Sequence, residues 1–389
     1  MAVRKSYETQ VKKVPRPHAA DLRAAGRLLV DATHGVTDVV EELHRTIASG
    51  PGGVMRPLVA PLGVVYSSIR GVTRAVGVAL DALLEQLAPV LGESAPGPER
   101  LAAMAVLNGV LGDHLERSGN PLAQPMQLIV GGSPPRPQLV VFVHGSAMNE
   151  LQWKRNGHDH GAALARDMGC SVVYARYNSG LHISTNGARL AAELERLVAV
   201  WPVEVESLTL VGHSMGGLVA RSACDVATRS AHRWRTRLRA LVTLGAPHEG
   251  APLERSGNWL ETLLGVSRYS APLARLGKLR SEGVTDLRFG YVSDADWQGC
   301  DRFELGPARR HALAPLRGVE CFAVAATRSP APAKRLRSDG LVPVESALGF
   351  PAQHEEIVYG AGHLDLLERP EVYAVIRRAV AVSGADPKT

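Results

Sequence analysis

The chain has 389 residues with a net charge of +6, 45% apolar residues drawn mostly from Ala, Leu and Val, and only 5% aromatics. That length suits a core domain of roughly 250 residues with an appended region. No uncharged apolar run reaches the ~18 residues of a membrane-spanning helix, and the four cysteines (Cys170, Cys224, Cys300, Cys321) show neither a disulfide-framework nor a zinc-ligand spacing.

The chain opens with a basic arm, Arg4, Lys5, Lys12, Lys13 and Arg16, followed by no secretory h-region. The expectation is a solvated tail on a cytoplasmic protein. No recognition motif accompanies the charge, so nucleic acid is not an expected partner. From Asp21 to Ile47 apolar and small residues recur at steps of three and four, and a Gly/Pro break at 49–53 ends that helix. A second helix, Leu62 to Leu91, carries small residues at every fourth position (Gly63, Ser67, Gly71, Ala75, Ala79). Arg70, Arg74, Asp81 and Glu85 interrupt it. A third, Pro98 to Arg117, has Leu101, Met104, Leu107, Leu111 and Leu115 along one face. We read residues 1–125 as a helical accessory region that packs on the following domain or shields its site. Peripheral membrane docking through these helices is the sharper alternative.

The proline-rich stretch 131–137 marks entry to the core. Leu139–Val143 is the clearest buried strand in the chain and ends in His144-Gly145-Ser146. A helix near His160–Asp167, a strand Ser171–Arg176 and a helix Thr185–Val200 follow. His158-Asp159-His160 has His-x-His spacing but lacks a third ligand, so helix capping by Asp159 explains it better than a metal. Leu208–Val211 is a further buried strand, and it runs into Gly212-His213-Ser214-Met215-Gly216 ahead of a helical pattern. A serine on such a strand-to-helix elbow projects its hydroxyl above the sheet, while the helix N-terminus points free N–H groups at developing negative charge. The N–H of Met215 is therefore one expected oxyanion donor, and that of Ser146, after the earlier His-Gly, is the other.

A strand at Leu238–Leu244 precedes a long mixed insertion, about 250–318, read as a cap or lid. Within it Trp259, Leu260, Leu263 and Leu264 form an apolar face that would either line an acyl pocket or bury against the core. Cys321–Ala326 is a core strand. Beyond it Asp339 sits in a Ser-Asp-Gly turn, and a last strand, Glu356–Tyr359, leads into Gly360-Ala361-Gly362-His363. Alone, Asp339 is a turn residue and His363 a solvated loop residue. Together with Ser214, each following a strand and in the order Ser, Asp, His, they read as a triad with Asp339 orienting His363. Asp365, His354 and His248 are weaker rivals by position.

His144-Gly145-Ser146, Gly212-His213-Ser214-Met215-Gly216-Gly217, Leu244–Gly250, Asp339–Pro343 and Gly362-His363 together resemble bacterial triacylglycerol lipases and esterases. They also resemble the GPI inositol-deacylase-like group of the α/β-hydrolase superfamily. The resemblance spans about residues 125–383. It implies a catalytic domain (126–383) with an α/β-hydrolase fold, a mostly parallel sheet with helices on both faces. It also implies a serine ester hydrolase acting on a small-molecule or lipid ester through Ser214, Asp339 and His363, with Ser146 and Met215 as oxyanion donors. Some such lipases bind calcium partly through an Asp two residues past the histidine. Asp365 holds that offset without an evident carboxylate partner, so neither metal nor cofactor is expected. Amide, thioester or acyl-transfer chemistry uses the same machinery and remains open, as does a non-catalytic binding scaffold.

Overall fold

The computed structural model describes residues 98–251, 281–300, 308–331 and 337–383. The basic arm, the two helices expected between Asp21 and Leu91, and the Trp259–Leu264 face lie outside them. In chain order, α1 (Pro98–Arg117) precedes β1 (Gln127–Val130) and β2 (Gln138–Val143). A small hairpin, β3 (Lys154–Arg155) with β4 (His158–Asp159), leads into α2 (His160–Met168), β5 (Ser171–Arg176) and α3 (Ile183–Val200). Then come β6 (Ser207–His213), α4 (Met215–Arg229), the one-turn α5 (Trp234–Arg237) and β7 (Leu238–Leu244). Helices α6 (Glu282–Phe289) and α7 (Asp294–Trp297) belong to the insertion. They are followed by β8 (Glu320–Thr327), α8 (Val344–Ala347), β9 (His354–Tyr359) and α9 (Pro370–Ser383).

Seven strands form one sheet in the order β1-β5-β2-β6-β7-β8-β9. Only β1 runs antiparallel, Gln127 pairing with Arg176 at the sheet edge. The inner strands are apolar on both sides, as a sheet covered on both faces requires. Val140, Phe142, Val211, Val242, Phe322 and Val324 pack with Leu164 of α2 and with Val372, Val375, Ile376 and Ala379 of α9. By the two-residue period the alternate set, including Leu139, Val141, Leu208 and Leu210, faces the other layer, where α4 packs on β6 and β7 and against α3. From β2 the chain first builds β5 on one side and then crosses to place β6 on the other. The carboxyl ends of β2 and β6 thus meet where the strand order reverses, which is where open α/β sheets form their ligand crevice.

Local chemistry explains most boundaries. Asp159 caps α2 by accepting from Ala162 N at 3.0 Å, and Gly169 ends it with φ 66°. Helix α3 starts at Ile183, two residues before the Thr185 expected from sequence. Its first N–H donates to Asp286 of α6 at 2.7 Å, a cap supplied by the insertion that local sequence cannot show. The edge strand β1 and the β3–β4 hairpin were not anticipated either, being too short to carry a periodicity.

Pro98–His114 and the chain from Gln124 onward form one compact unit. Of the other unit the described residues are Leu115–Ala123. There Gly119 N donates to Glu116 O and Asn120 N to Leu115 O, a Schellman ending with Gly119 at φ 63°. The face that α1 buries differs in part from expectation, since of the five residues named only Leu115 is wholly buried. Leu101, Met104, Leu107 and Leu111 are only half-buried, whereas Ala105, Asn108, Gly109 and Gly112 are buried. Small residues bring the helix backbone itself against its neighbours.

Leu210, wholly buried in β6 beneath the elbow, tests the packing of this layer. Leu210→Ala is expected to cost about 2–5 kcal/mol of unfolding free energy, read as a shifted midpoint in urea.

Candidate active site

Ser214 stands between β6 and α4 with φ 53° and ψ −124°, a strained conformation for a residue with a Cβ. The strain persists because the neighbouring backbone leaves no alternative. A Cβ on Gly212 would lie 2.5 Å from the carbonyl of Gly216 and from the Cα of Gly217. A Cβ on Gly216 would strike the carbonyl oxygens of Val143 and His144. The two glycines therefore let the elbow close on itself and let α4 sit directly on the end of β2. Ser214 N donates to Leu244 O at 2.8 Å, fixing the turn to β7.

Asp339 and His363 meet across two loops that follow β8 and β9. His363 Nδ1 donates to Asp339 Oδ2 at 2.6 Å, with both side chains 1% exposed. The other carboxylate oxygen accepts from Leu341 N and Val342 N, both at 2.8 Å. The loops are also tied through backbone, since Asp339 O accepts from His363 N at 3.2 Å and from Arg328 Nε at 3.0 Å. Burial alone would raise the Asp339 carboxyl. The adjacent His363 imidazole, with the hydrogen bonds from His363, Val342 and Leu341, outweighs it and holds the group below the usual carboxylate range.

His363 Nδ1 thus faces the carboxylate, and Nε2 is buried without a protein partner. Ser214 Oγ and His363 Nε2 do not hydrogen-bond here, as is common before substrate is bound. The two residues are nonetheless neighbours. The His363 ring lies 3.2 Å from the position a Cβ on Gly245 would take, one residue beyond the Leu244 carbonyl that holds Ser214. The ring of His213, adjacent to Ser214 in sequence, is 4.7 Å from the His363 ring.

His213 is a site residue that sequence reasoning missed. Its Nε2 donates to His363 O at 3.1 Å, so β6 holds the loop bearing His363. Burial, aided by His363, pushes its pKa down to about 3, so the ring is neutral and the donor is fixed. Sequence offered no signal, because the middle position of the GxSxG pattern is unrestricted.

The loop after β2 brings Gly145 against the serine: a Cβ there would lie 3.1 Å from Ser214 Cβ. Among the described residues the N–H groups of Ser146 and Met215 have no acceptor. Ala147, with φ 56°, donates its N–H to Ser179 Oγ at 2.9 Å. His144 stacks on Tyr177 with ring centroids 4.3 Å apart, and burial lowers its pKa to about 4. The structure therefore brings Ser146 and Met215 beside Ser214, and Asp339 onto His363.

The rivals have other employment. His248 is buried, accepts from Arg221 at 2.8 Å and reaches Thr243 Oγ1 at 3.3 Å. His354 opens β9, stacked on Phe322 and paired with Glu320. Asp365 precedes the last helix, which begins at Pro370. It lies in the 3-10 turn His363–Leu367 and caps it by accepting from Gly362 N at 2.7 Å. His158 Nε2 lies 2.8 Å from His160 Nδ1, while His160 Nε2 donates to Leu366 O at 3.1 Å. Cys170, Cys224 and Cys321 are buried and Cys300 is partly exposed, all as free thiols. No three metal-ligating side chains gather among the described residues, and no helix there is long and apolar enough to cross a membrane.

Sheet order, elbow and loop placement define the α/β-hydrolase fold, which this chain has. Residues 136–304 match the family described as the PGAP1-like alpha/beta domain. Among solved structures, a Bacillus licheniformis lipase in its mature form is 19% identical, with 66% of this chain and 99% of that chain covered and a TM-score of 0.46. An esterase from Thermogutta terrifontis is 16% identical, covering 67% and 94% at a TM-score of 0.40. A type II thioesterase of the yersiniabactin pathway is 15% identical, covering 67% and 100% at 0.41. No curated protein matches the chain.

The buried neutral histidines set the acid limit of the fold. His144 and His160 fall from 6.5 to about 4 and His213 to about 3, each through burial. Below pH 6.5 the unfolded chain protonates these rings and the folded one does not, so stability present above pH 6.5 is lost as pH falls toward 4. Each ring contributes up to about 1.4 kcal/mol per pH unit. His160→Gln should flatten the decline in stability between pH 6.5 and 4.5 by about one proton, measured by urea unfolding at a series of pH values.

Proposed function

We propose that the protein is a serine carboxylester hydrolase. The observation that carries this is the buried 2.6 Å Asp339–His363 hydrogen bond, which leaves a bare imidazole nitrogen beside a serine on a strained elbow. In this reading Ser214 Oγ attacks the ester carbonyl as His363 Nε2 takes its proton, and the N–H groups of Met215 and Ser146 hold the oxyanion. The tetrahedral adduct collapses, His363 returns the proton to the departing alcohol, and the acyl group stays on Ser214. Water, deprotonated by His363, then releases the acid and restores the serine. Asp339 keeps the proton on Nδ1 and stabilises the imidazolium that forms at each step.

No cofactor enters these steps. The substrate is read as a small-molecule or lipid ester, and membrane contact by the residues before Pro98 belongs to the same proposal. Thioester or amide cleavage would run through the same groups. Free N–H groups at Ser146 and Met215 beside an intact Asp-His pair argue for catalysis over a scaffold role.

Hydrolysis of p-nitrophenyl esters from acetate to palmitate tests this, with Ser214→Ala in parallel. The expected result is wild-type turnover reduced by ~10⁴ or more in the variant. An inert wild type, or a variant that keeps its rate, overturns the reading. Asp339→Asn should retain binding but lower kcat by about 10³–10⁴, because an amide donor in place of the carboxylate favours the wrong His363 tautomer.

A further inference from the structure

The catalytic loops do not stand alone, and one of their supports comes from outside the segment that matches the α/β-domain family. Helix α1 precedes residue 136, yet its buried side is applied to the loop between β2 and β3 that carries Ser146. A Cβ on Gly109 would lie 2.8 Å from Ala147 Cβ, 2.9 Å from its Cα and 3.1 Å from its N. Ala147 is the residue after the second oxyanion donor, and it is itself held in the left-handed region at φ 56°. The same helix turn is pinned from two other sides. Ser281, at the start of α6, donates its hydroxyl to Gly109 O at 2.7 Å. Asn178, in the loop after β5, donates to Gly112 O at 2.9 Å, and its side chain fills the space where a Cβ on Gly112 would stand. Gly180 of that loop touches α1 backbone so closely that a Cβ would strike Asn108 O. Ser179, between Asn178 and Gly180, is the residue whose hydroxyl accepts the Ala147 N–H.

Helix α1, the β5–α3 loop and the N-terminus of α6 thus converge on Ala147, with glycines making the contacts. A leucine face would have kept the helix a side-chain length away and left the loop unsupported. A left-handed alanine costs of order 1–3 kcal/mol and persists only where the surroundings impose it.

We propose that α1 is an integral wall of the active site, and that Gly109 is a positioning residue that seats Ala147 so that the Ser146 N–H points at the oxyanion. This inference rests on the serine-hydrolase reading above. An oxyanion donor acts on the transition state more than on bound substrate, so its displacement lowers kcat rather than raising KM.

The test uses the full-length protein and a short p-nitrophenyl ester. Gly109→Ala should lower kcat on the order of 10²-fold, the scale expected for a donor moved by about an ångström, with KM little changed. Adding Ala147→Gly removes the nearest clashing atom and relieves the φ 56° strain, so the double variant should recover part of the loss. Gly132→Ala, at an exposed glycine with open space around it, is the control and should match wild type. Should Gly109→Ala fail to fold, Ser281→Ala removes the hydroxyl that holds Gly109 O without adding bulk and should lower kcat several-fold at constant KM. The inference is overturned if Gly109→Ala turns over at the wild-type rate. It is also overturned if its loss is not relieved by Ala147→Gly, or if Ser281→Ala is indistinguishable from wild type when Gly109→Ala cannot be made. Fluorophosphonate labelling of Ser214 separates the two levels of argument. A wild type inert to both probe and esters overturns the hydrolase reading and this inference together. A wild type that reacts, with an unimpaired Gly109→Ala, overturns only the second.

Discussion

The close approach of backbone to backbone at the top of β6 is the constraint on which the rest depends. Gly212 and Gly216 let the elbow fold back until the start of α4 lies on the carbonyls of Val143 and His144. Three consequences follow from that one contact. Ser214 is forced to φ 53° with its side chain raised from the sheet. The Met215 N–H, at a helix N-terminus, has no acceptor among the described residues. The loop leaving β2 is brought over the serine, so that a Cβ on Gly145 would crowd Ser214 Cβ at 3.1 Å. A wider spacing would relieve the strain and separate Ser214 from the loop that carries Ser146.

The second organising element is the way the base loop is tied down. His363 is held through its side chain by Asp339, through its N–H by Asp339 O and through its C=O by His213. Two of those ties come from the acid loop and one from the nucleophile strand. The imidazole is therefore fixed relative both to Asp339 and to the strand that ends at Ser214. Asp339 is in turn fixed by two backbone N–H groups on its other oxygen, which leaves a single oxygen for the histidine. This is the carboxylate arrangement that keeps charge beside Nδ1 without taking the proton from it.

How much of this was legible in the sequence depends on the range of the interaction. The inner strands could be read because burial on both faces writes a continuous apolar run, as at Leu139–Val143 and Leu208–Val211. Ser214 could be placed because it stands just past such a run, and the contact of Asp339 with His363 could be expected because each lies in a loop after a later strand. What could not be read is set by contacts distant in sequence. The cap of α3 is an aspartate from the insertion, and the hydrogen bond of His213 to His363 crosses the sheet. Helix α1 was read by its leucines, of which Leu115 is buried, whereas its closest backbone contacts are made at Asn108, Gly109 and Gly112. A hydrophobic period marks where side chains bury, and it is blind to a helix that buries its own backbone.

The unspent polar groups complete the physical picture. His144 Nε2, Ser146 Oγ, His213 Nδ1 and His363 Nε2 are all buried without a protein partner, and they belong to the two loops and the strand end that surround Ser214. Buried polar atoms are ordinarily satisfied, so such a group of exceptions at the crevice end of the sheet is a cost the fold bears where chemistry would occur. The kinds of atom matter as much as their number. The His144 and His213 nitrogens are acceptors on rings that burial keeps neutral, and the N–H groups of Ser146 and Met215 are donors. Asp339, the charged member of the set, is already paired and turned away. A neutral ester can enter such a site without stripping water from an exposed ion. In the proposed reaction the donors and the base would meet charge only as the tetrahedral oxygen and the imidazolium form, so their stabilisation would be concentrated in the transition state.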